Sequence, residues 1–192
     1  HLWCVLAVCA YLKETGDYDF LEEKITFYDK DLPLTEREQG SVLEHLRRAV
    51  SYTKANVGQH GLPLLGFADW NDTVNLHGDA ESLFIANMYG SALCEIIDLW
   101  EHLGESSEVA SFLDDWKEMR DAVNTHGWDG EWYVRYFEEN GTAIGSKHNL
   151  EGKIFTNGQS WPVISGFASE ERAHTALDSV HDELNTEHGI KL

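Results

Sequence analysis

The strongest constraint on this chain is residues 80–103, a stretch with helical spacing whose apolar positions cover more than one stripe. Leu83, Phe84, Met88, Leu93, Ile96, Ile97 and Trp100 cannot all face a single neighbour. A helix that is apolar around most of its girth must be enclosed by other elements. The next segment, about 107–124, has a different character. Val109, Phe112, Leu113, Trp116, Met119 and Val123 mark its buried face. Residues 2–15 are again apolar almost all round and predict a helix buried on all sides, whereas residues 41–56 carry one stripe at Leu43, Leu46, Val50 and Thr53. Helix pairs with one enclosed member and one half-exposed member read as the inner and outer rings of a helical assembly.

Punctuation supports this division. Gly16 closes the first helix, Asp17 and Asp19 cap a short turn around residues 20–24, and a polar loop follows to Gly40. Ser41 with Glu44 three residues on forms a capping box, and Gly58 is placed to end that helix in a left-handed conformation. Asp79 is the expected cap of the long helix, with Gly104 at its end. Alternation over 132–137 and the Asn140-Gly141 dipeptide predict one β-hairpin returning through 142–145. A short helix is expected at about 159–167, and Ser169 opens a last one ending near Leu184. The expected class is mainly α with one small β-hairpin.

At 192 residues and 42% hydrophobic the chain is long enough for one domain with its own core. No uninterrupted apolar run reaches the roughly 18 residues of a membrane-spanning helix. Acidic residues outnumber basic ones 34 to 14, a net charge of −20. Such a chain repels nucleic acid and anionic membranes, so neither is an expected partner. Cys4, Cys9 and Cys94 fall in helices without a Cys-x-x-Cys pair, which predicts free buried thiols and a reducing, cytoplasmic setting. The ten histidines have no ligand spacing, and no metal site is expected. With no initiating Met and no cap before Leu2, the chain reads as an internal segment, residues 1–192 of a larger catalytic domain.

Chemistry concentrates in residues 66–77, Gly-Phe-Ala-Asp-Trp-Asn-Asp-Thr-Val-Asn-Leu-His, which have neither helical nor strand period. Asp69 and Asp72 flank Trp70 and Asn71. An indole face stacks on a pyranose ring while a carboxylic acid protonates a glycosidic oxygen, so this grouping suits sugar chemistry. Asp-Asn-Asp clusters are also ordinary turn formers. From the residues alone, either acid could act and either could be an orienting turn residue. Trp128, Trp132, Tyr133 and Trp161 read as core aromatics beside glycine turns, and Gln159, at the start of a helix, is a candidate to face the cleft.

Taken in order, several short motifs form a set: His1-Leu2-Trp3, Gly58-Gln59-His60-Gly61-Leu62-Pro63, Ala68-Asp69-Trp70-Asn71-Asp72, Trp128-Asp129-Gly130-Glu131-Trp132-Tyr133, Glu151-Gly152-Lys153-Ile154-Phe155, Gln159-Ser160-Trp161 and Asn185-Thr186-Glu187-His188-Gly189. The set resembles the inverting glycoside phosphorylases of glycoside hydrolase family 94, the cellobiose phosphorylase family, along nearly the whole chain. The resemblance implies an (α/α)6 barrel. Twelve helices of ~14 residues with ~6-residue connections need roughly 240 residues. With six or so helices expected here, this chain would be about half a barrel, with an open apolar edge.

The resemblance also implies phosphorolysis of a β-linked glucose disaccharide, cellobiose first, to α-glucose 1-phosphate and a free sugar. The disaccharide and inorganic phosphate are the implied partners, without any further cofactor, and the parent enzyme is expected to be a homodimer. Asp72 matches the general acid, Trp70 the aromatic of the donor subsite, and Asp69 a structural or sugar-binding residue. Leu65, Phe67 and Trp70 are expected to desolvate Asp72, and Asp69 to add like charge, both of which keep an acid protonated. No cationic pocket is evident around Asp69 and Asp72. The family's donor-binding Arg and Asp lie upstream of His1, and its acceptor-binding Glu and phosphate-binding His and Thr-Gly lie beyond Leu192. The segment alone is therefore expected to be inactive. Two other readings stay open: an inverting hydrolase on the same barrel, which needs a second carboxylate for water, and a non-catalytic sugar-binding or scaffold segment.

Overall fold

The computed structural model describes residues 1–191. Its helices are α1 (Leu2–Thr15), α2 (Val42–Ala55), α3 (Leu83–Leu103), α4 (Ser106–His126), α5 (Thr156–Ile164) and α6 (Glu170–Leu184). Its strands are short: β1 (Lys24–Thr26), β2 (Gln39–Ser41), β3 (Glu81–Ser82), β4 (Tyr136–Phe137), β5 (Ala143–Ile144), β6 (Asn185–Thr186) and β7 (Gly189–Ile190). The architecture is mainly α, as the apolar spacing predicts.

α3 is the hub, with α1, α2, α4 and α5 all packed against it. Leu83, Phe84, Met88, Leu93, Ile96 and Trp100 are buried, so apolar residues on several sides of one helix each find a neighbour. Only Gly104 and Glu105 separate α3 from α4, and left-handed Gly104 turns α4 back alongside it. In length and apolar content α3 could cross a membrane, although it contains no unbroken apolar run of spanning length. However, 67% of its apolar window is buried inside the fold, as befits a core helix. Its cap is Ser82 rather than Asp79: the Ser82 Oγ accepts from Ile85 N–H at 3.2 Å. Strand pairing of Glu81 and Ser82 moves the helix start three residues beyond the expected one.

α1 departs from expectation. Leu2, Val5, Cys9 and Leu12 are buried, but Trp3, Cys4 and Tyr11 are exposed, because α2 and α3 cover one side only. Trp3 meets Trp161 of α5 edge-on at 5.9 Å, and exposed Val163 and Ile164 extend the same open apolar edge. Of the three unpaired cysteines only Cys9 is buried, and burial pushes its thiol up to about 12; Cys4 and Cys94 are exposed. The capping box at Ser41 forms, its Oγ accepting from Glu44 N–H at 3.2 Å. Gly58 does not terminate α2 in the left-handed region; the helix ends at Asn56, which has negative φ and turns its N–H back to the Tyr52 and Thr53 carbonyls.

The expected hairpin is β4–β5, paired Tyr136 to Ile144 and Phe137 to Ala143. The β3 strand, which no sequence pattern marks, lies on the other side of β4, pairing Glu81 with Phe137 and Ser82 with Tyr136. The resulting three-stranded antiparallel sheet joins the start of α3 to the hairpin, and the loop bearing Asp69 and Asp72 is fastened to it. Two further ladders, β1–β2 and β6–β7, also lie outside the expected single hairpin, since two or three residues are too few to show a period.

Candidate active site

The loop from Gly66 to Gly78 is pinned at both ends before it reaches its acids. Leu65 N–H donates to Ala80 O at 2.7 Å, and Ser82 N–H donates to Pro63 O at 2.9 Å, so the incoming and outgoing strands are held side by side. Leu65, Ala80 and Tyr136 are buried together, with Val74, Leu76, Ile85 and Ile144 packed around them. This small apolar cluster lies between the loop and the sheet.

Upstream, the stem is held by Glu81, whose side chain is 1% exposed. Its Oε1 accepts from His60 N–H at 3.0 Å and Leu62 N–H at 3.1 Å, and its Oε2 meets His60 Nδ1 at 2.5 Å. Gly58 is required here for space: a Cβ at this position would stand 2.6 Å from Glu81 Cγ.

Within the loop, Asp69 is the structural centre. Its side chain is 0% exposed and forms a buried ion pair with Arg135, Nη1 to Oδ2 and Nη2 to Oδ1, each at 2.8 Å. Ser82 Oγ donates to Oδ2 at 2.7 Å and Tyr136 Oη to Oδ1 at 3.2 Å. Burial raises the Tyr136 phenol above its ordinary range, with the Arg135 charge opposing and Asp69 reinforcing. The hydroxyl therefore remains a donor to Asp69. Arg135 lies over the Tyr136 ring at 4.1 Å and the Phe84 ring at 5.2 Å. With both oxygens committed to these partners, Asp69 has no free acceptor to offer a sugar hydroxyl; of its two expected roles the geometry supports the structural one.

From Asp69 the loop advances in two successive side-chain turns. Asp69 Oδ1 accepts from Asn71 N–H at 3.0 Å, and Asn71 Oδ1 accepts from Thr73 N–H at 3.1 Å and Thr73 Oγ1 at 2.7 Å. Trp70 is half-exposed between two shallow hollows, one bounded by Arg135, Tyr136 and Phe155, the other by Trp3, Phe84 and Met88. Asp72 is exposed and has no hydrogen-bond or ion-pair partner among the described residues.

Several expectations need correction. Leu65 is buried under the loop, while Phe67 is fully exposed and Trp70 half so, and they leave Asp72 open to solvent. Asp69 adds no uncompensated charge beside Asp72, since Arg135 neutralises it. A cation does stand at this loop, Arg135, but it is tied to Asp69. Gln159 is 0% exposed, with Oε1 accepting from Tyr133 N–H and Nε2 donating to Tyr133 O, both at 2.8 Å. It pins the β4 approach to α5 and faces no cleft. Arg135, Ser82, Tyr136 and Glu81 escaped the sequence reading. One signal was available: an Arg inside Trp132-Tyr133-Val134-Arg135-Tyr136-Phe137 must find an acid if that segment is buried.

Comparison with known proteins identifies the family and several relatives. The family model described as glycosyl hydrolase 94 superfamily, catalytic domain, matches residues 1–192. The chain is 35% identical to the N,N'-diacetylchitobiose phosphorylase of Vibrio proteolyticus, over 100% of this chain and 23% of that protein. It is 36% identical to the solabiose phosphorylase of Paenibacillus borealis, over 98% of this chain and 24% of that protein. A cyclic beta-(1,2)-glucan synthase of Rhizobium meliloti matches at 31% over 95% of this chain and 7% of its own length. The chain thus spans about a quarter of the length of the two phosphorylases. The six helices and their small sheets are those of a partial helical barrel of the matched domain.

Proposed function

The chain belongs to the glycosyl hydrolase 94 superfamily as part of its catalytic domain, and from that premise we propose that Asp72 is the general acid of an inverting glycoside phosphorylase. The observation that carries this reading is the contrast between the two acids of the loop. Asp69 is enclosed and ion-paired, whereas Asp72 is exposed and unpartnered among the described residues. Only Asp72 is free to meet a substrate.

In this reading Trp70 stacks against the sugar on the donor side of the scissile bond. The Asp72 proton passes to the glycosidic oxygen as the carbon–oxygen bond breaks. A phosphate oxygen attacks the anomeric carbon from the opposite face, which converts a β-linkage into an α-sugar 1-phosphate and releases the second sugar with its new hydroxyl. Phosphate is already an anion and a nucleophile, so no protein base is needed. An inverting hydrolase would need one, and the engagement of Asp69 supports phosphorolysis over hydrolysis.

The substrate we propose is a β-linked glucose disaccharide, with cellobiose the first to test. The relatives' names cover different disaccharides, and we place the choice of linkage outside this loop. Arg135 is committed to Asp69, and we place the phosphate ligands elsewhere in the longer protein. Bound phosphate and sugar would then supply the like charge and desolvation that keep Asp72 protonated. The unpaired cysteines support a cytoplasmic location.

The test uses the full-length enzyme with and without phosphate. Asp72→Asn should lower kcat on the disaccharide by roughly 10²–10⁴-fold. An aryl glucoside with a good leaving group needs less proton help and should lose less. Equal losses on both substrates would refute the acid assignment, and turnover without phosphate would refute phosphorolysis.

A further inference from the structure

We infer that Arg135 is the positioning residue of the acid loop, holding Asp72 in place through Asp69; the inference rests on Asp72 being the acid. A continuous chain of bonds connects the two. Arg135 grips both oxygens of Asp69 at 2.8 Å. The Oδ1 it grips is also the acceptor of the Asn71 N–H, and Asn71 in turn accepts from Thr73 N–H. Moving the Asp69 carboxylate therefore moves the backbone on both sides of Asp72.

Arg135 is itself fixed by the sheet. Its N–H donates to Ile144 O at 2.7 Å and its carbonyl accepts from Leu83 N–H at 3.2 Å. Its guanidinium lies over the Tyr136 ring at 4.1 Å and the Phe84 ring at 5.2 Å. Ser82, which caps α3, donates to the same carboxylate and accepts from Arg135 Nη1 at 3.3 Å. Loop, helix start and hairpin meet at one carboxylate.

A buried ion pair is a poor source of net stability, because desolvating both charges offsets their attraction. What a two-point Arg–carboxylate contact supplies is direction: the planar fork fixes the carboxylate's angle as well as its distance. A lysine would keep the charge and lose the angle. General-acid transfer is sensitive to placement, and a shift of about 1 Å costs on the order of 10²-fold in rate. The pair is suited to that requirement.

The experiment is a kinetic cycle in the full-length enzyme with the disaccharide and inorganic phosphate, using Arg135→Lys, Asp72→Asn and the double variant. Arg135→Lys should lower kcat roughly 10- to 100-fold while KM stays within about threefold. In the Asp72→Asn background it should cost less than about twofold more, because an acid already removed cannot be misplaced. A merely structural residue would cost the same in both backgrounds, and that result would overturn the inference, as would an effect confined to KM. If Arg135→Lys does not fold, Ser82→Ala enters the same cycle. It removes one bond to Asp69, so a kcat loss that vanishes in Asp72→Asn supports the inference and an undiminished one overturns it. An Asp72→Asn enzyme as fast as its parent would sink the acid assignment itself, and this inference with it.

Discussion

Gly58→Ala offers a sharp test of how the acid loop's stem is built. Gly58 has no left-handed backbone to protect, since its φ is outside the positive region. The added methyl carbon would instead stand 2.6 Å from Glu81 Cγ, 2.7 Å from Cδ and 2.8 Å from Oε1. Glu81 is 1% exposed and cannot swing into solvent. Displacing it strains the two backbone N–H bonds to Oε1, from His60 and Leu62. Hydrogen bonds to a charged group are worth about 1.5–3 kcal/mol each, and partial loss of two comes to about 3 kcal/mol. For a cooperative unit of about 200 residues that lowers the thermal midpoint by roughly 6–12 °C.

Calorimetry on the full-length protein should show a downward shift, smaller in proportion as the cooperative unit exceeds that length, and two controls isolate its cause. Gly16 is left-handed at φ +69° with nothing within 4 Å of a new Cβ, so Gly16→Ala should cost only about 1 kcal/mol of backbone strain. Glu81→Ala removes all three clashing atoms, so Gly58→Ala should cost almost nothing further in that background. A Gly58→Ala penalty that persists without the Glu81 carboxylate would show that the close approach is not the reason for glycine.

Two further outcomes follow from buried groups. Gln159→Leu keeps the shape but leaves the Tyr133 N–H and carbonyl unpaired, which should destabilise by about 2–4 kcal/mol in a thermal melt with KM unchanged. A raised KM in a fully stable variant would return Gln159 to the sugar cleft. Burial is the first cause raising the Tyr89, Tyr133 and Tyr136 phenols above their ordinary value of 10.0. The unfolded chain therefore releases these protons first, and stability, complete below pH 10, should fall as pH rises through and beyond it. Tyr136→Phe should flatten part of that decline; an alkaline limb unchanged in all three Phe variants would refute the assignment.

What the sequence made legible was what depends on local period and capping. α3 and α4 were visible because more than twenty residues each repeat their apolar positions, and Ser41 and Ser169 cap the helices they were expected to cap. The loop was visible because it breaks both helical and strand period around two carboxylates and an indole, but a turn would look the same, and only the family resemblance singled out Asp72. The exposure of one α1 face was not legible, because apolar side chains do not say whether a partner is present. β3 was hidden because a two-residue strand has no period, and with it the platform on which Arg135, Ser82 and Tyr136 meet Asp69. Gln159 misled for a physical reason: a polar residue on an inner helix is consistent with a ligand or with a backbone carbonyl, and only the fold shows which partner is near.

The loop places two chemically identical side chains in opposite environments, Asp69 enclosed and ion-paired and Asp72 exposed, and the proposed reading gives them different work. An acid that must give up a proton in the transition state needs freedom from fixed cations, since a partner such as Arg135 would hold it ionised. An acid that must hold a loop needs the opposite, a permanent charge matched to a permanent partner. Only Trp70 and Asn71 separate Asp69 from Asp72, and Arg135, Ser82 and Tyr136 all converge on the first. Exchanging the two environments would require turning the loop over, which the pinned ends at Leu65 and Ser82 prevent. In the proposed reading the anchored acid is the reason the free one has a fixed position, and a catalytic acid at Asp72 depends on the bonds that hold Asp69.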